Sequence, residues 1–159
     1  MVIDKKFKGL VKEDFRYVFN GDIETTEFLE VDLDMGLFVT GSIEAGEYIN
    51  AGWYVDAGEY IKAGGSIEAG GSSGIVAGLS ITCKGTLSFG LKAFAGICSW
   101  REISEEEKTI TCEKFNGGVV EYGILKETGL EEDRKIELSM DEIAQKFGVA
   151  VKDLKIKKG

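Results

Sequence analysis

The sequence predicts an all-β protein: a short parallel β-helix (solenoid) with capping strands and a small C-terminal helix. First, residues 41–70 repeat every six residues as GSIEAG, EYINAG, WYVDAG, EYIKAG and GSIEAG, and a strict short period is typical of stacked repeats. Second, the 159 residues include 22 glycines and no proline, which suits short, fully paired strands joined by tight turns. Third, the charges within the repeat alternate in a way that favours one stacking arrangement.

Each hexad has an aliphatic residue, then an alanine two positions later, then a glycine. Because side chains alternate across a strand, the aliphatic residue and the alanine share one face, and the residue between them points to water. We expect the glycine to form the corner, since it adopts backbone angles that other residues avoid. The predicted interior columns are Ile43, Ile49, Val55, Ile61 and Ile67, beside Ala45, Ala51, Ala57, Ala63 and Ala69.

The charged positions predict how many hexads make one coil. Two hexads per coil would stack Glu44, Asp56 and Glu68, and like charges directly opposite one another are destabilising. Three hexads per coil instead stack Glu44 on Lys62 and Asn50 on Glu68. We therefore expect about three hexads per coil, with a meander of short antiparallel strands as the alternative.

The repeat phase extends beyond the visible hexads on both sides. Val31 and Leu37 fall on the aliphatic position, and Leu33 and Val39 fall on the alanine position. After Gly70 the phase slips by two residues across GGSSG, which indicates a loop at one corner. It resumes at Ile75, Ile81 and Leu87, with Ala77 in the alanine position.

The solenoid is therefore expected to run from Val31 to about Gly96, in three to four coils. Residues 15–23 predict a strand and a tight turn at Asn20-Gly21, and the first thirty residues are expected to cover one open end. Asn116-Gly117-Gly118 predicts a hairpin, which together with the C-terminal helix would cover the other end.

The helix is predicted from a capping box, Ser139 followed by Glu142, and from a glycine stop at Gly148. The helix is expected to contain Met140, Ile143, Ala144 and Phe147. The domain prediction is a solenoid with capping strands over residues 1–126 and a helical appendage over residues 127–159.

Composition excludes several classes of function. A net charge of −9 opposes binding to nucleic acid, which needs clustered cations. No apolar stretch is long enough for a membrane span, and the start lacks a signal-peptide core, so we expect a cytoplasmic protein. Cys83, Cys98 and Cys112 are expected to be small buried residues in a reducing compartment, with a Cys83–Cys112 bridge as the alternative.

The segments VTGSIEAG and EYIKAGGSIEAG resemble bacterial polymer-forming β-solenoid proteins of the bactofilin type, over roughly residues 37–81. They also resemble uncharacterised bacterial proteins with I-x-A-G hexad repeats. The bactofilin resemblance implies a β-helix and self-association. The long C-terminal region of this chain departs from that pattern, which puts filament formation in question.

Two further resemblances are partial. Hexads also occur in left-handed acyltransferases, but there the small residue precedes the aliphatic one, and those enzymes are expected to use a histidine, which this chain lacks. The stretch LSMDEIAQKFGVAVKDLK is similar to the first half of a LysM peptidoglycan-binding motif and to the opening of a helix-turn-helix.

The available chemistry argues against an enzyme. Without histidine the chain cannot form a Ser-His-Asp or Cys-His arrangement, and its cysteine spacing predicts no zinc site. We expect no catalytic residues, metal or cofactor. Paired carboxylates could still act as acid and base, but Glu44, Asp56 and Glu68 alternate regularly with lysine and asparagine, which favours a solvated face.

The predicted function is a non-enzymatic structural or interaction module that self-associates through solenoid faces or ends, with no nucleic-acid or membrane partner. The alternative is a carbohydrate or cell-wall binding module. Exposed aromatic side chains often contribute binding energy at interfaces, so the predicted binding residues are Tyr48, Trp53, Tyr54 and Tyr60. With three hexads per coil the three tyrosines lie on different sides, as a belt around the molecule.

Overall fold

The computed structural model describes residues 1–129, which form a three-sided parallel β-solenoid, so the predicted fold class is confirmed. Residues 1–129 contain strands and one 3₁₀ turn at Glu106–Lys108, but no α-helix. The predicted C-terminal helix, and most of the predicted appendage, lie outside the described residues. Within the described part of the chain, no helix is long and apolar enough to cross a membrane.

The strands are short, with two to four residues each. In chain order they are β1 (Val2–Ile3), β2 (Leu10–Lys12), β3 (Arg16–Phe19), β4 (Ile23–Thr25), β5 (Leu29–Val31), β6 (Gly36–Val39), β7 (Ile43–Ala45), β8 (Ile49–Ala51), β9 (Val55–Ala57), β10 (Ile61–Ala63), β11 (Ile67–Ala69), β12 (Ile75–Ala77), β13 (Ile81–Cys83), β14 (Thr86–Ser88), β15 (Lys92–Ala95), β16 (Thr109–Cys112), β17 (Lys114–Asn116), β18 (Val119–Tyr122) and β19 (Ile124–Glu127).

These strands build three sheets, one on each side of the solenoid. Sheet A has the order β1-β5-β8-β11-β14-β17, sheet B the order β2-β3-β6-β9-β12-β15-β18, and sheet C the order β4-β7-β10-β13-β16-β19. The chain visits A, B and C in turn, and each such circuit is one coil. Six coils result, more than the three to four predicted, because the outer coils lack the visible alanine-glycine signature.

The strand register confirms three hexads per coil. In sheet C, Ile61 pairs with Ile43 and Lys62 pairs with Glu44, in parallel, which excludes the antiparallel meander. In sheet A, Glu68 pairs with Asn50. The aliphatic and alanine columns lie inside and are buried along the whole stack. The core is therefore a stack of like side chains, as the repeat predicts.

The phase predicted at the start of the repeat was wrong by two residues. Leu29 pairs with Ile49 and Val31 pairs with Ala51, so Val31 occupies the alanine position and not the aliphatic one. The cause is a corner with two extra residues between Val31 and Leu37. The slip after Gly70 is confirmed, since Ile75 pairs with Val55, 20 residues earlier, because the corner after Gly70 has two extra residues.

The hairpin predicted at Asn116-Gly117-Gly118 was also wrong. The strands on either side of it, β17 and β18, lie in different sheets and pair in parallel with β14 and β15. Gly117 and Gly118, with φ values of 90° and 68°, turn a solenoid corner, because a glycine pair provides any tight turn with the positive φ it needs.

The N-terminal residues contribute more than a cap. Strands β1, β3 and β4 form a complete first coil. Only β2 caps an edge, by antiparallel pairing with β3 on sheet B. The Phe7 ring packs edge-on against Phe19, with centroids 5.7 Å apart, and both rings pack against the buried core.

Four of the five hexad glycines, all except Gly52, are required for close packing, which corrects the expected role. None of those at 46, 52, 58, 64 and 70 has a positive φ. A Cβ built on Gly64 would overlap the carbonyl oxygen of Gly46 in the previous coil. The Gly64 N–H also donates to the carbonyl of Ala45, 2.9 Å away. Glycine is needed here because two corner backbones lie directly above one another.

The cysteines are free, and the alternative disulfide is not formed. Cys83 and Cys112 are buried, whereas Cys98 is partly exposed. Cys83 occupies the alanine position, pairing with Ala63. A thiol is small enough to replace a methyl group in this column.

Candidate functional site

Two sides of the solenoid present polar ladders to solvent. The outward-facing residue of each strand lies directly above its equivalent in the previous coil. Apart from Val2 at its first rung, the outward ladder of sheet A is Glu30, Asn50, Glu68, Ser88 and Asn116. The ladder of sheet C is Glu24, Glu44, Lys62, Thr82, Thr111 and Lys126.

The corresponding ladder of sheet B is apolar except at one rung. We call it the apolar ladder, and it consists of Val18, Phe38, Asp56, Val76, Phe94 and Tyr122. At the N-terminal edge Val11 of β2 extends it by pairing with Val18. Six neighbouring outward positions are thus filled by large apolar side chains, which natural sheets avoid on surfaces that stay in water.

A β-bulge completes the apolar ladder at its last rung. Ala93 pairs with Val120, but Phe94 pairs with Tyr122, so the register skips Glu121. Without the bulge, a carboxylate would extend the ladder beyond Phe94. Instead, the Glu121 carboxylate lies 2.8 Å from the Lys92 ammonium. Bulges commonly re-aim a side chain in this way.

A groove of about 360 Å³ borders the apolar ladder at the corner that joins sheets A and B. Its apolar walls include Trp53, Tyr54, Leu91 and Phe94. The two long corners, which carry Met35 and Ser72, lie on either side of the short Trp53-Tyr54 corner. The groove therefore forms where the short corner lies between the two long ones.

Tyr54 is held at this corner by a glycine. A Cβ on Gly36 would overlap the Tyr54 ring, so the ring lies flat on the backbone of β6. The Tyr54 hydroxyl donates to the Phe15 carbonyl, 3.4 Å away. Tyr54 is thereby fixed as a wall of the groove.

The exposed apolar side chains concentrate around sheet B. Among the described residues, most large hydrophobic side chains that are exposed belong to sheet B or to the corners on either side of it, and the exceptions are Val2 and Tyr48. They are Val11, Phe15, Trp53, Leu91, Ile97, Trp100, Val119 and Tyr122. We call this surface, together with the apolar ladder, face B. Its composition is typical of an interaction surface.

Asp56 is the only charged member of the apolar ladder. Its register neighbours are Phe38 and Val76, and it forms no hydrogen bond or ion pair with any of the described residues. Burial raises the pKa of the Asp56 carboxyl to about 6, an effect that Arg16 partly opposes. Asp56 points outward, as predicted, but neighbouring side chains remove part of its hydration.

The four predicted binding residues lie at three corners. Trp53 and Tyr54 meet at the groove. Tyr48 precedes β8 in sheet A and stacks on Phe28, with centroids 5.4 Å apart. Tyr60 precedes β10 in sheet C, and its hydroxyl lies 3.4 Å from a Glu44 oxygen. The tyrosines form a belt, as expected. Of the four residues, only Trp53 belongs to face B, and Tyr54 lies beside it in the groove.

The sequence prediction missed Phe38, Phe94 and Tyr122. Phe38 could have been found by counting one coil back from Asp56, since the two are 18 residues apart. Phe94 and Tyr122 required the positions of the long corner and the bulge, which leave no periodic signal.

No group of three or more potential metal ligands occurs among residues 1–129. The groove beside the apolar ladder is lined by aromatic and aliphatic side chains, with Lys92 as its charged member. Such a surface can contact another apolar surface. No protein-family model matches the chain, and neither a curated protein nor a solved structure shows significant similarity to it.

Proposed function

We propose that this protein is a non-enzymatic structural module that associates with a second copy of itself through face B. The observation that carries the proposal is the apolar ladder, in which Phe38, Val76 and Phe94 stand where the other two sheets present polar residues. The buried free thiols of Cys83 and Cys112 fit a reducing cytosolic setting, which is part of the proposal.

Charge favours face B as the contact between copies. Two molecules with a net charge of −9 repel one another, so they meet most easily where charge is scarce. Along face B, the positive groups Arg16 and Lys92 are already paired with Glu13 and Glu121. Asp56 is the remaining charge on the apolar ladder.

The dimensions of face B fit a small interface. Six rungs at roughly 4.8 Å, with both corners included, cover on the order of 600 Å² per copy, or about 1,200 Å² in total, the lower end for specific complexes. A flat apolar strip can pack against its own copy, as a two-fold symmetric dimer requires. A moderate affinity is therefore expected.

The experiment is sedimentation velocity over a range of protein concentrations. Val76→Lys places an ammonium one rung from Asp56, which lets the monomer fold but puts a charge into the contact. Ser88→Lys is the matched control, because it places an ammonium one rung from Glu68 on sheet A. We expect wild type and Ser88→Lys to dimerise and Val76→Lys to remain monomeric. A wild type that stays monomeric both at neutral pH and at about pH 5.5, where Asp56 is largely neutral, or equal association of all three, would overturn the proposal.

Carbohydrate or cell-wall binding in the groove is a second candidate, favoured by the half-exposed Trp53 ring, which is 50% accessible. Aromatic faces can stack on sugar rings. The test is titration of the Trp100→Phe variant with soluble peptidoglycan fragments, since Trp53 is then the only tryptophan. A saturable change in its fluorescence supports binding, and an unchanged spectrum excludes it.

A further inference from the structure

We propose that Asp56 makes the pairing of two B faces dependent on pH, opposing it as a carboxylate and permitting it as a neutral acid. This inference rests on the proposed function and assigns its regulation. It is carried by the position of the carboxyl group, which lies on the third of the six rungs of the apolar ladder. A contact that uses this ladder has to cover it.

The strands on either side of Asp56 offer it no charge partner. In β6, Gly36–Val39 contains no titratable residue, and neither does Ile75–Ala77 in β12. Just before its own strand, the Tyr54 hydroxyl is directed to the Phe15 carbonyl. A carboxylate covered at this position would therefore be buried without an ion-pair partner, a cost that the nearby Arg16 offsets only in part.

The charged groups farther away along face B are already engaged. The Arg16 guanidinium lies over the Phe38 ring, 4.5 Å from its centroid, and its Nε donates to the Glu13 carboxylate at 2.9 Å. Lys92 is paired with Glu121. Arg16 lowers the pKa of Asp56, but burial raises it by more.

The direction of the pH effect follows from proton linkage. In the monomer, burial already raises the pKa of Asp56 to about 6. A second apolar face removes the remaining water and raises that pKa further, so the dimer binds more protons than two monomers. Any state that binds more protons is favoured as the pH falls. Association therefore strengthens on acidification through the range around pH 6.

The size of the effect follows from the presence of two Asp56 residues in a symmetric dimer. If pairing requires both to be neutral, the association constant follows the square of the neutral fraction. Between about pH 7.5 and about pH 5.5, with a pKa of about 6, this predicts a rise of up to roughly 600-fold, and we set the lower limit at about tenfold. The lower limit applies if the covered carboxylates keep some contact with water.

The test is the dimer dissociation constant of four proteins, measured by sedimentation at about pH 7.5 and about pH 5.5, values that lie on either side of the Asp56 titration. We expect tighter association of the wild type at the lower pH. Asp56→Asn should associate at least tenfold more tightly than wild type at the higher pH and lose most of the pH dependence. Glu68→Gln, which neutralises a carboxylate on sheet A, should behave like wild type, and Val76→Lys should be monomeric at both values.

The outcomes separate the two proposals. Equal wild-type association at both pH values, with Val76→Lys still monomeric, would refute the role of Asp56 and leave the proposed function standing. An Asp56→Asn variant that associates no more tightly than wild type at about pH 7.5 would also refute the role of Asp56. If neither wild type nor Asp56→Asn associates at either pH, the proposed function fails and this inference fails with it.

Discussion

The Lys62 ammonium lies 2.6 Å from a Glu44 carboxylate oxygen, although the two residues are 18 positions apart in the chain. They occupy adjacent rungs of sheet C, so their spacing of 18 residues is the length of one coil. The hydrogen bond to Glu44 holds the pKa of Lys62 above its ordinary value. Both side chains are partly exposed, so the pair contributes more to register than to overall stability.

Reversing the charge of Lys62 should destabilise the stack through its ladder. Lys62→Glu would place three carboxylates in consecutive rungs, after Glu24 and Glu44. We expect a lower melting temperature, with a deficit that shrinks as sodium chloride is added, because salt screens exposed charges. Lys62→Gln, which only removes the pair, should show a smaller and less salt-dependent change. A deficit of the same size at all salt concentrations would contradict the electrostatic explanation.

Two glycines in identical alanine-glycine contexts should respond differently to alanine. A Cβ on Gly64 would overlap a backbone carbonyl, whereas a Cβ on Gly52 meets nothing within 4 Å. We expect Gly64→Ala to lower the free energy of unfolding by about 2 kcal/mol or more, and Gly52→Ala to change it by less than about 0.5 kcal/mol. Urea unfolding of the two variants measures this directly. Equal losses would mean that the corners do not stack as described.

Asp56→Asn should stabilise the monomer at neutral pH. The folded-state pKa of Asp56, about 6, exceeds the ordinary aspartate value of 3.8, so the folded protein binds the extra proton between these values and loses stability as the pH rises through them. Allowing for partial exposure, the variant should be more stable than wild type by on the order of 1–2 kcal/mol above pH 6. The advantage should disappear below about pH 4. Urea unfolding at low protein concentration, with Glu68→Gln as an unaffected control, provides the measurement.

The three thiols should react at very different rates. Burial raises the pKa of Cys83 to about 11 and also raises that of Cys112, so little reactive thiolate is present at either site near neutral pH. Cys98 is partly exposed. A thiol reagent should therefore label Cys98 first and reach the other two only in denaturant. Fast labelling of all three in the native protein would contradict the described burial.

The repeating part of this chain was predictable because its rungs are six residues apart and its charges alternate. Ile43, Ile61 and Ala63 lie where the hexad places them, and the Glu44–Lys62 pair follows from the charge argument alone. The absence of proline and the abundance of glycine pointed to the same architecture. These properties are local or strictly periodic, so they can be recognised in a single sequence.

The candidate site was only half predictable. Trp53 and Tyr54 were predicted as binding residues within the repeat, and both line the groove. Their assembly with Phe94 was not predictable, since the long corner after Gly70 and the irregular strands that follow obscure the phase. The phase error at Val31 likewise comes from a longer corner, the one between β5 and β6, and the hairpin was wrongly predicted at Asn116 because the strands around it are irregular.

By itself, the sequence determined the β-solenoid architecture, the number of hexads in one coil and the buried columns, because stacking identical units buries the same side chains at each turn. Only the tertiary structure decided which side of the solenoid is apolar. The longer corner after Gly70 places Val76 and Phe94 on the apolar ladder, and the bulge beside Phe94 adds Tyr122 to it. The glycine requirement at Gly64 is likewise tertiary, because it depends on a backbone that lies one full coil away.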